Sequence, residues 1–269
     1  ALIDRQLGDV LGQLGDQLVS LSRKIDVSAE DLAKIAAAAG QQGLGRYGVE
    51  GIRQFTETVS RMSSVLDITA EDASSNIGKI ASIFRVSLGD IERVASAFNE
   101  TANNSTATGE QLLDVVKRIG DASGSLNLQQ SIGLAASAID FGVSPEVAGT
   151  SLSKIFSEFY ARADKFSELL GISVNDWLTQ LNTNGIEAFR KYLEALRTMS
   201  EDEQQKIIKQ MSGGGRIGSL LTKYVKDTSD TVLNQNIGSS TRGFEEGTSA
   251  IKKQATVLQT LDAEAIKAG

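Results

Sequence analysis

The stretch GVSPEVAGTSLSKIF, Gly142 to Phe156, decides the fold class. Val143 is an apolar residue just before a helix start, and Ser144 is placed to cap the first free backbone N–H groups. Pro145 at the first helical position sacrifices no hydrogen bond. Ala148, Leu152, Ile155, Phe156 and Phe159 then recur at helical spacing, while Glu146, Thr150, Lys154 and Glu158 point elsewhere. The stretch therefore reads as a packed helix. Ala148, Gly149 and Leu152 form its expected core-packing seam, where small side chains let another helix approach closely.

The same start signal recurs along the chain. Ser28 precedes Asp31 by three residues, as do Thr69 and Asp72, Ser87 and Asp90, Thr108 and Gln111, Asn127 and Gln130, Ser173 and Asp176, and Ser200 and Glu203. Each pair resembles a capping box, in which the first side chain accepts from a backbone N–H and the second reaches back. Most follow an apolar residue, and most intervals between them are 17 to 29 residues, room for one helix and a short connection. The caps predict an all-α chain of short consecutive helices near 28–40, 49–66, 69–84, 87–103, 108–120, 127–141, 144–170, 173–182, 185–197, 200–211 and 216–234.

Composition agrees. A single proline among 269 residues, 5% aromatics and 41% apolar residues suit helices and disfavour β-rich alternatives. Without cysteine there is no disulfide, thiol chemistry or Cys-based zinc site. Without histidine the usual general base, the Ser-His-Asp arrangement and the commonest transition-metal ligand are also missing. No catalytic residue, cofactor site or metal site is expected. A formal charge of −7 and no evident basic stripe argue against a phosphate-backbone binder. The most apolar run, Leu32 to Ala39, is interrupted by Lys34 and is far shorter than the roughly 20 residues that span a bilayer. Ala1 opens the chain inside a helical pattern, so an excised or processed segment of a longer protein is expected.

The two ends differ from the middle. Leu7, Leu11, Leu14, Leu18, Leu21 and Ile25 repeat as the a/d seam of a coiled coil. They are the candidate self-association residues, with packing on the chain's own domain as the other reading. Gly8, Gly12 and Gly15 run beside them, each costing roughly 0.5–1 kcal/mol in a helix unless a close neighbour offsets it. Ile251, Ala255, Leu258, Leu261 or Asp262, and Ala265 approximate a second heptad. The expected division is a heptad helix over 1–25, a helical core over 26–235 and a connecting helix over 236–269.

Other candidate chemistry has a structural reading. Gly213-Gly214-Gly215-Arg216 lacks the Gly-Lys-Ser/Thr ending of a phosphate-binding loop and reads as a helix stop before a new helix at Ile217. Glu201, Asp202 and Glu203 sit at a helix start, where the macrodipole favours negative charge. Glu245 and Glu246 read as solvated. Trp177 is expected in the core, stapled to Ile172. Tyr47, between Gly45 and Gly48, is either tucked under its own domain or presented to a neighbour.

The order of these elements resembles the core region of the phage tail tape-measure protein family. The resemblance is carried by VSAEDLAKIAAAAGQQG (27–43), ITAEDASSNIGKIASIF (68–84), TGEQLLDVVKRIG (108–120), LNLQQSIGLAASAIDFGVSPEVAGTSLSKIF (126–156), LLGISVNDWLTQL (169–181) and GIEAFRKYLEAL (185–196). Towards the end, MSGGGRIGSLL (211–221) resembles the family's glycine turn, with Met211-Ser212-Gly213 where Phe-Gly is usual. The resemblance implies a structural, non-enzymatic part of a bacteriophage or prophage tail. Such proteins set tail-tube length during assembly and assist DNA delivery. It implies a homo-oligomer, such as a trimer, formed through the flanking helices. Tail-tube, tail-tip and tail-chaperone proteins would be its partners, in the virion tail lumen or tip and in the host cytoplasm during assembly. No sequence-specific nucleic acid and no membrane span enter this picture. A helical interaction module of a bacterial injection or secretion apparatus is the alternative, and a carboxylate-dependent cell-wall hydrolase is a remoter one.

Overall fold

A computed structural model describes residues 2–25, 27–41, 48–120, 124–212, 214–256 and 259, and among them there is no strand. The fold is all-α. In six of the seven expected pairs the cap side chain accepts from the backbone N–H three residues on, whereas the Asp90 N–H donates to the Ser87 carbonyl; in all seven the second side chain reaches back, and its length decides how. Gln111, Gln130 and Glu203 reach back to the backbone N–H of Thr108, Asn127 and Ser200 at 2.9, 3.1 and 3.0 Å. Asp is one methylene shorter and accepts from the cap hydroxyl instead, at 2.8 Å from Ser28, 2.6 Å from Thr69, 2.7 Å from Ser87 and 2.7 Å from Ser173. Ser144 differs: it occupies the cap position with extended backbone, yet its side chain makes no cap hydrogen bond. Pro145 has already removed one of the N–H groups that would need it.

The chain forms two compact units, Ala1–Glu100 with Arg242–Gly269, and Thr101–Thr241. Their borders differ from the expected divisions after 25 and 235, because the first helix packs within the first unit and the chain returns to that unit at Arg242.

In the first unit α1 (Leu2–Ser22), α2 (Ala29–Gln41), α3 (Gly48–Leu66) and α4 (Ala70–Ile83) pack on one another. A single 3-10 turn, Leu88–Asp90, leads into α5 (Ile91–Asn103) where a helix from 87 was expected. Leu32, Phe55, Val59, Met62, Ala73, Ile77 and Ile80 are fully buried. The returning segment lies against α5. A Cβ added at Gly243 would stand 2.5 Å from the Ser96 carbonyl oxygen and 2.9 Å from Ala97 Cα. Arg93 Nε donates to the Phe244 carbonyl at 2.8 Å while its guanidinium covers the Phe244 ring at 4.5 Å. The expected unbroken exit helix over 236–269 is interrupted at Gly247, whose φ of 64° belongs to the left-handed region. Helix resumes over 249–256 with Ala250 and Gln254 buried and Ile251 exposed, so the heptad face beginning at Ile251 is not the packed one. Leu258, Leu261 and Ala265 lie outside the described residues, as does Tyr47.

The second unit holds α6 (Gly109–Gly120), α7 (Leu128–Asp140), α8 (Pro145–Ala161), α9 (Ala163–Leu170), α10 (Val174–Thr183), α11 (Gly185–Arg197), α12 (Glu201–Ser212), α13 (Gly215–Lys226) and most of α14 (Thr231–Glu246). α8 lies at its centre, packed most extensively on α6 and also on α7, α9, α12 and α13. Two of the expected helices are broken. The one over 144–170 breaks at Arg162, with φ −124° and ψ 38°. That break lets α9 fold back and brings Phe166 to 4.8 Å from Phe159, far closer than the roughly 10 Å between residues seven apart along a continuous helix. The one over 216–234 breaks at Asp227–Asp230. Apolar spacing continues across this break through Leu221, Val225 and Val232, which is why the period alone reads it as one helix. The polar run Asp227-Thr228-Ser229-Asp230 overrides it: the Asp227 carboxylate accepts from the N–H groups of Thr231 and Val232, both at 3.0 Å.

Candidate functional site

Small residues set the closest helix approaches in the second unit. Ala148 and Leu152 are fully buried on α8, and Gly149 between them faces Arg118 of α6. A Cβ at 149 would lie 2.9 Å from Arg118 Cβ. Gly133, which the sequence reading did not single out, is tighter. Its missing Cβ would stand 2.7 Å from the Ile237 backbone nitrogen and 2.8 Å from Ile237 Cα, so α7 and α14 touch there backbone to backbone. Only the context of a crossing helix distinguishes Gly133 from its neighbours in Ser131-Ile132-Gly133-Leu134-Ala135, a signal that a single sequence does not carry.

Beside the seam lies an aromatic core. Phe159 is fully buried, with the rings of Phe156, Phe166, Trp177 and Tyr192 at 5.4, 4.8, 5.3 and 5.7 Å. Its carbonyl accepts from Trp177 Nε1 at 2.9 Å, which satisfies the one polar atom that burial of the indole would otherwise strand. The expected core role of Trp177 is thus observed, with Phe166 stacked on it at an interplanar angle of 12°. Tyr224 donates its hydroxyl to the Leu134 carbonyl at 2.9 Å, and burial pushes that phenol well above its ordinary pKa.

Charges are placed structurally. Arg197 donates to the carbonyls of Val225, Tyr224 and Asp227 and to the Asp230 carboxylate at 2.5 Å, closing the end of α13. Glu158 lies between Lys154 and Arg162 at 2.6 Å from each, and their hydrogen bonds hold its carboxyl below the ordinary range. The folded value is depressed, so this contribution is present above the unfolded carboxylate pKa and is lost as pH falls through the folded one. In the first unit a ladder of alternating charge runs along α3 from Glu50 through Arg53, Glu57 and Arg61 to Glu92 at 2.5 Å. Arg53 lowers Glu50 to about 2, whereas burial raises Glu92 despite the adjacent Arg61. Among the described residues no three acids gather in a metal-binding group. No helix among them is long and apolar enough to cross a membrane.

The N-terminal seam divides. Leu18, Leu21 and Ile25 are each 6% exposed, in a cluster with Leu32 and Ala36 of α2, and Leu14 packs against its edge. The side chains of Leu7 and Leu11 lie outside the described residues. Gly12 and Gly15 are exposed, and a Cβ at either would meet nothing within 4 Å. Gly12→Ala with Gly15→Ala is therefore expected to stabilise the chain by about 1–2 kcal/mol in urea unfolding, from helix propensity alone. A loss of stability would reveal a neighbour against that face. Glu201, Asp202 and Glu203 occupy the first turn of α12, and Glu245 and Glu246 are exposed. Gly214 and Gly215 have φ of 72° and 61°, and α13 starts at Gly215, two residues before the expected Ile217.

Comparison with known proteins gives these features a family. The profile of the family described as "Phage-related minor tail protein" matches residues 15–213. A protein of Halomonas phage phiHAP-1 named "Probable tape measure protein" is 26% identical over 234 residues, which is 82% of this chain and 27% of that protein. The chain thus spans about a quarter of the length of that relative. No solved structure matches it. The matched region contains both the cap series from Ser28 to Ser200 and the α6–α8 seam, and on this match the chain belongs to the phage-related minor tail protein family.

Proposed function

We propose that the chain is a folded helical portion of a tape-measure protein, a non-enzymatic tail component whose parent sets tail-tube length during assembly and assists DNA delivery. The observation that carries this reading is the match of most of the chain to a phage protein of that printed name. The structure supports it in kind: its little-exposed ion pairs, Arg61 with Glu92 and Arg197 with Asp230, serve a charge ladder and a helix end. An extended helix encodes length at about 1.5 Å per residue. Two compact units of short helices measure little, so this portion interrupts the measuring rod and docks with tail-tip, tail-tube or chaperone proteins. Co-purification with tube and tip proteins from virions tests the assignment, and recovery with a secretion apparatus instead would contradict it.

The N-terminal seam has divided work in this proposal. Leu18, Leu21 and Ile25 hold α1 on its own unit, while Leu7 and Leu11 join copies of the chain. Leu7→Asp with Leu11→Asp is expected to lower the mass in light scattering with the helical circular dichroism retained; unchanged mass would remove the self-association role.

A further inference from the structure

Residues 204–226 contain Lys206, Lys209, Arg216, Lys223 and Lys226 and no acid, so all 34 Asp and Glu residues of this −7 chain lie outside them. The run escapes a reading based on net charge, because the surplus of acid elsewhere hides it. It folds as the hairpin of α12 and α13. The two helices meet where Ile208 lies over Gly218, 3.1 Å from where its Cβ would be, and where Gln205 Nε2 donates to Thr222 Oγ1 at 3.2 Å. Between them runs an open cleft of about 620 Å³.

The cleft has two chemistries. Ile208, Gly215 and Gly218 contribute an apolar strip to its lining, beside the uncharged polar Gln205, Ser219 and Thr222, and Lys209, Lys223 and Lys226 supply cations. Lys223 is fixed in place by donating to the Phe141 carbonyl at 2.7 Å. Lys209, Arg216 and Lys226 take part in none of the ion pairs among the described residues, although Arg53, Arg61, Arg162 and Arg197 are all paired. Uncompensated like charges on one hairpin repel one another, and an anionic partner relieves that repulsion. A nucleic acid would use the cations, but the lining offers no aromatic ring on which a base could stack. An amphipathic helix with a stripe of Ala or Leu flanked by carboxylates matches both.

We propose that the cleft between α12 and α13 docks an acidic amphipathic helix of a partner protein. This surface is independent of the role of the chain in setting tail length. The probe is a synthetic peptide of about five helical turns with an Ala/Leu stripe flanked by Glu, followed by fluorescence anisotropy against the whole chain. Its isomer with Gln for Glu and a thymidine oligonucleotide of equal charge serve as comparisons. The Glu peptide is expected to bind, with an affinity that falls with salt and weakens about tenfold in Lys209→Glu with Lys226→Glu. Both lysines are exposed, so the fold survives, as circular dichroism will show. Lys252→Glu, on the other unit, is expected to change nothing. Equal binding of the Gln peptide, indifference to the double reversal, or oligonucleotide binding as tight and with the same lysine dependence would each overturn the proposal.

Discussion

Phe159→Ala is expected to destabilise the second unit by about 3–5 kcal/mol, a large part of the 5–15 kcal/mol that holds a typical domain together. Phe159 is buried where α8, α9, α10 and α11 converge, and its ring touches rings from each of them. Removing it opens a cavity whose walls are other aromatic rings, and bulky planar walls collapse poorly into a void. Because Phe166 and Trp177 stack on each other and both pack edge-on to Phe159, they lose their support together. Trp177 is the only tryptophan, so its fluorescence during guanidinium unfolding reports this unit directly. A loss below about 1 kcal/mol would mean the cluster can repack and is not the centre of the unit.

Gly133→Ala is expected to cost about 2–4 kcal/mol, although the same change in an isolated helix is favourable by up to 1 kcal/mol. The added methyl has backbone on its far side, at 2.7 Å from Ile237 N, so no rotamer change relieves the overlap and α7 and α14 must part. Separation would also stretch the hydrogen bond from Asn236 Nδ2 to the Asp140 carboxylate, now 2.7 Å. That carboxylate in turn accepts from the Thr106 N–H at 2.7 Å. Gly149 provides the contrast. A methyl there meets Arg118 Cδ and Cγ, which can swing outward, and Arg118 Cβ at 2.9 Å, which cannot, but it meets no backbone atom, so Gly149→Ala is expected to cost less than Gly133→Ala. Thermal unfolding of both variants decides it, and equal or inverted losses would contradict the backbone-contact reading.

The contrast between these glycines shows what was legible in the sequence. Helix starts were, because a cap is a local exchange of hydrogen bonds between residues three apart: six of the seven expected pairs make it in full, and at Ser87 and Asp90 only the two side chains meet. The burial of Ala148 and Leu152 was legible from a helical period that one face must satisfy, and that of Trp177 from its place in the first turn after the Ser173 cap. Helix ends were harder. Val225 and Val232 keep the apolar period across 227–230, and only the capping geometry of Asp227 and the carbonyl contacts of Arg197 stop the helix. Those depend on an arginine 30 residues away from Asp227. The N-terminal leucines spell a coiled-coil seam, yet Leu18, Leu21 and Ile25 meet α2 of their own unit, since a heptad specifies that a helix has a partner without saying which. The basic hairpin was written plainly at 204–226 and was masked by counting charge over the whole chain.

The second unit is continuous in sequence, and its flanks meet in the first unit, where a Cβ at Gly243 would stand 2.7 Å from Glu100 Cβ, so residues 101–241 can be replaced by a short flexible linker. Electron microscopy of tails from the phage or prophage carrying that in-frame replacement tests the central claim most directly. The predicted result is assembled tails shortened by far less than the roughly 210 Å that the segment would span as an extended helix, with impaired tip attachment or infection. Shortening by about that full length would show that the segment measures the tail as a rod, and tails of normal length, tip and infectivity would show that it has no part in the tail.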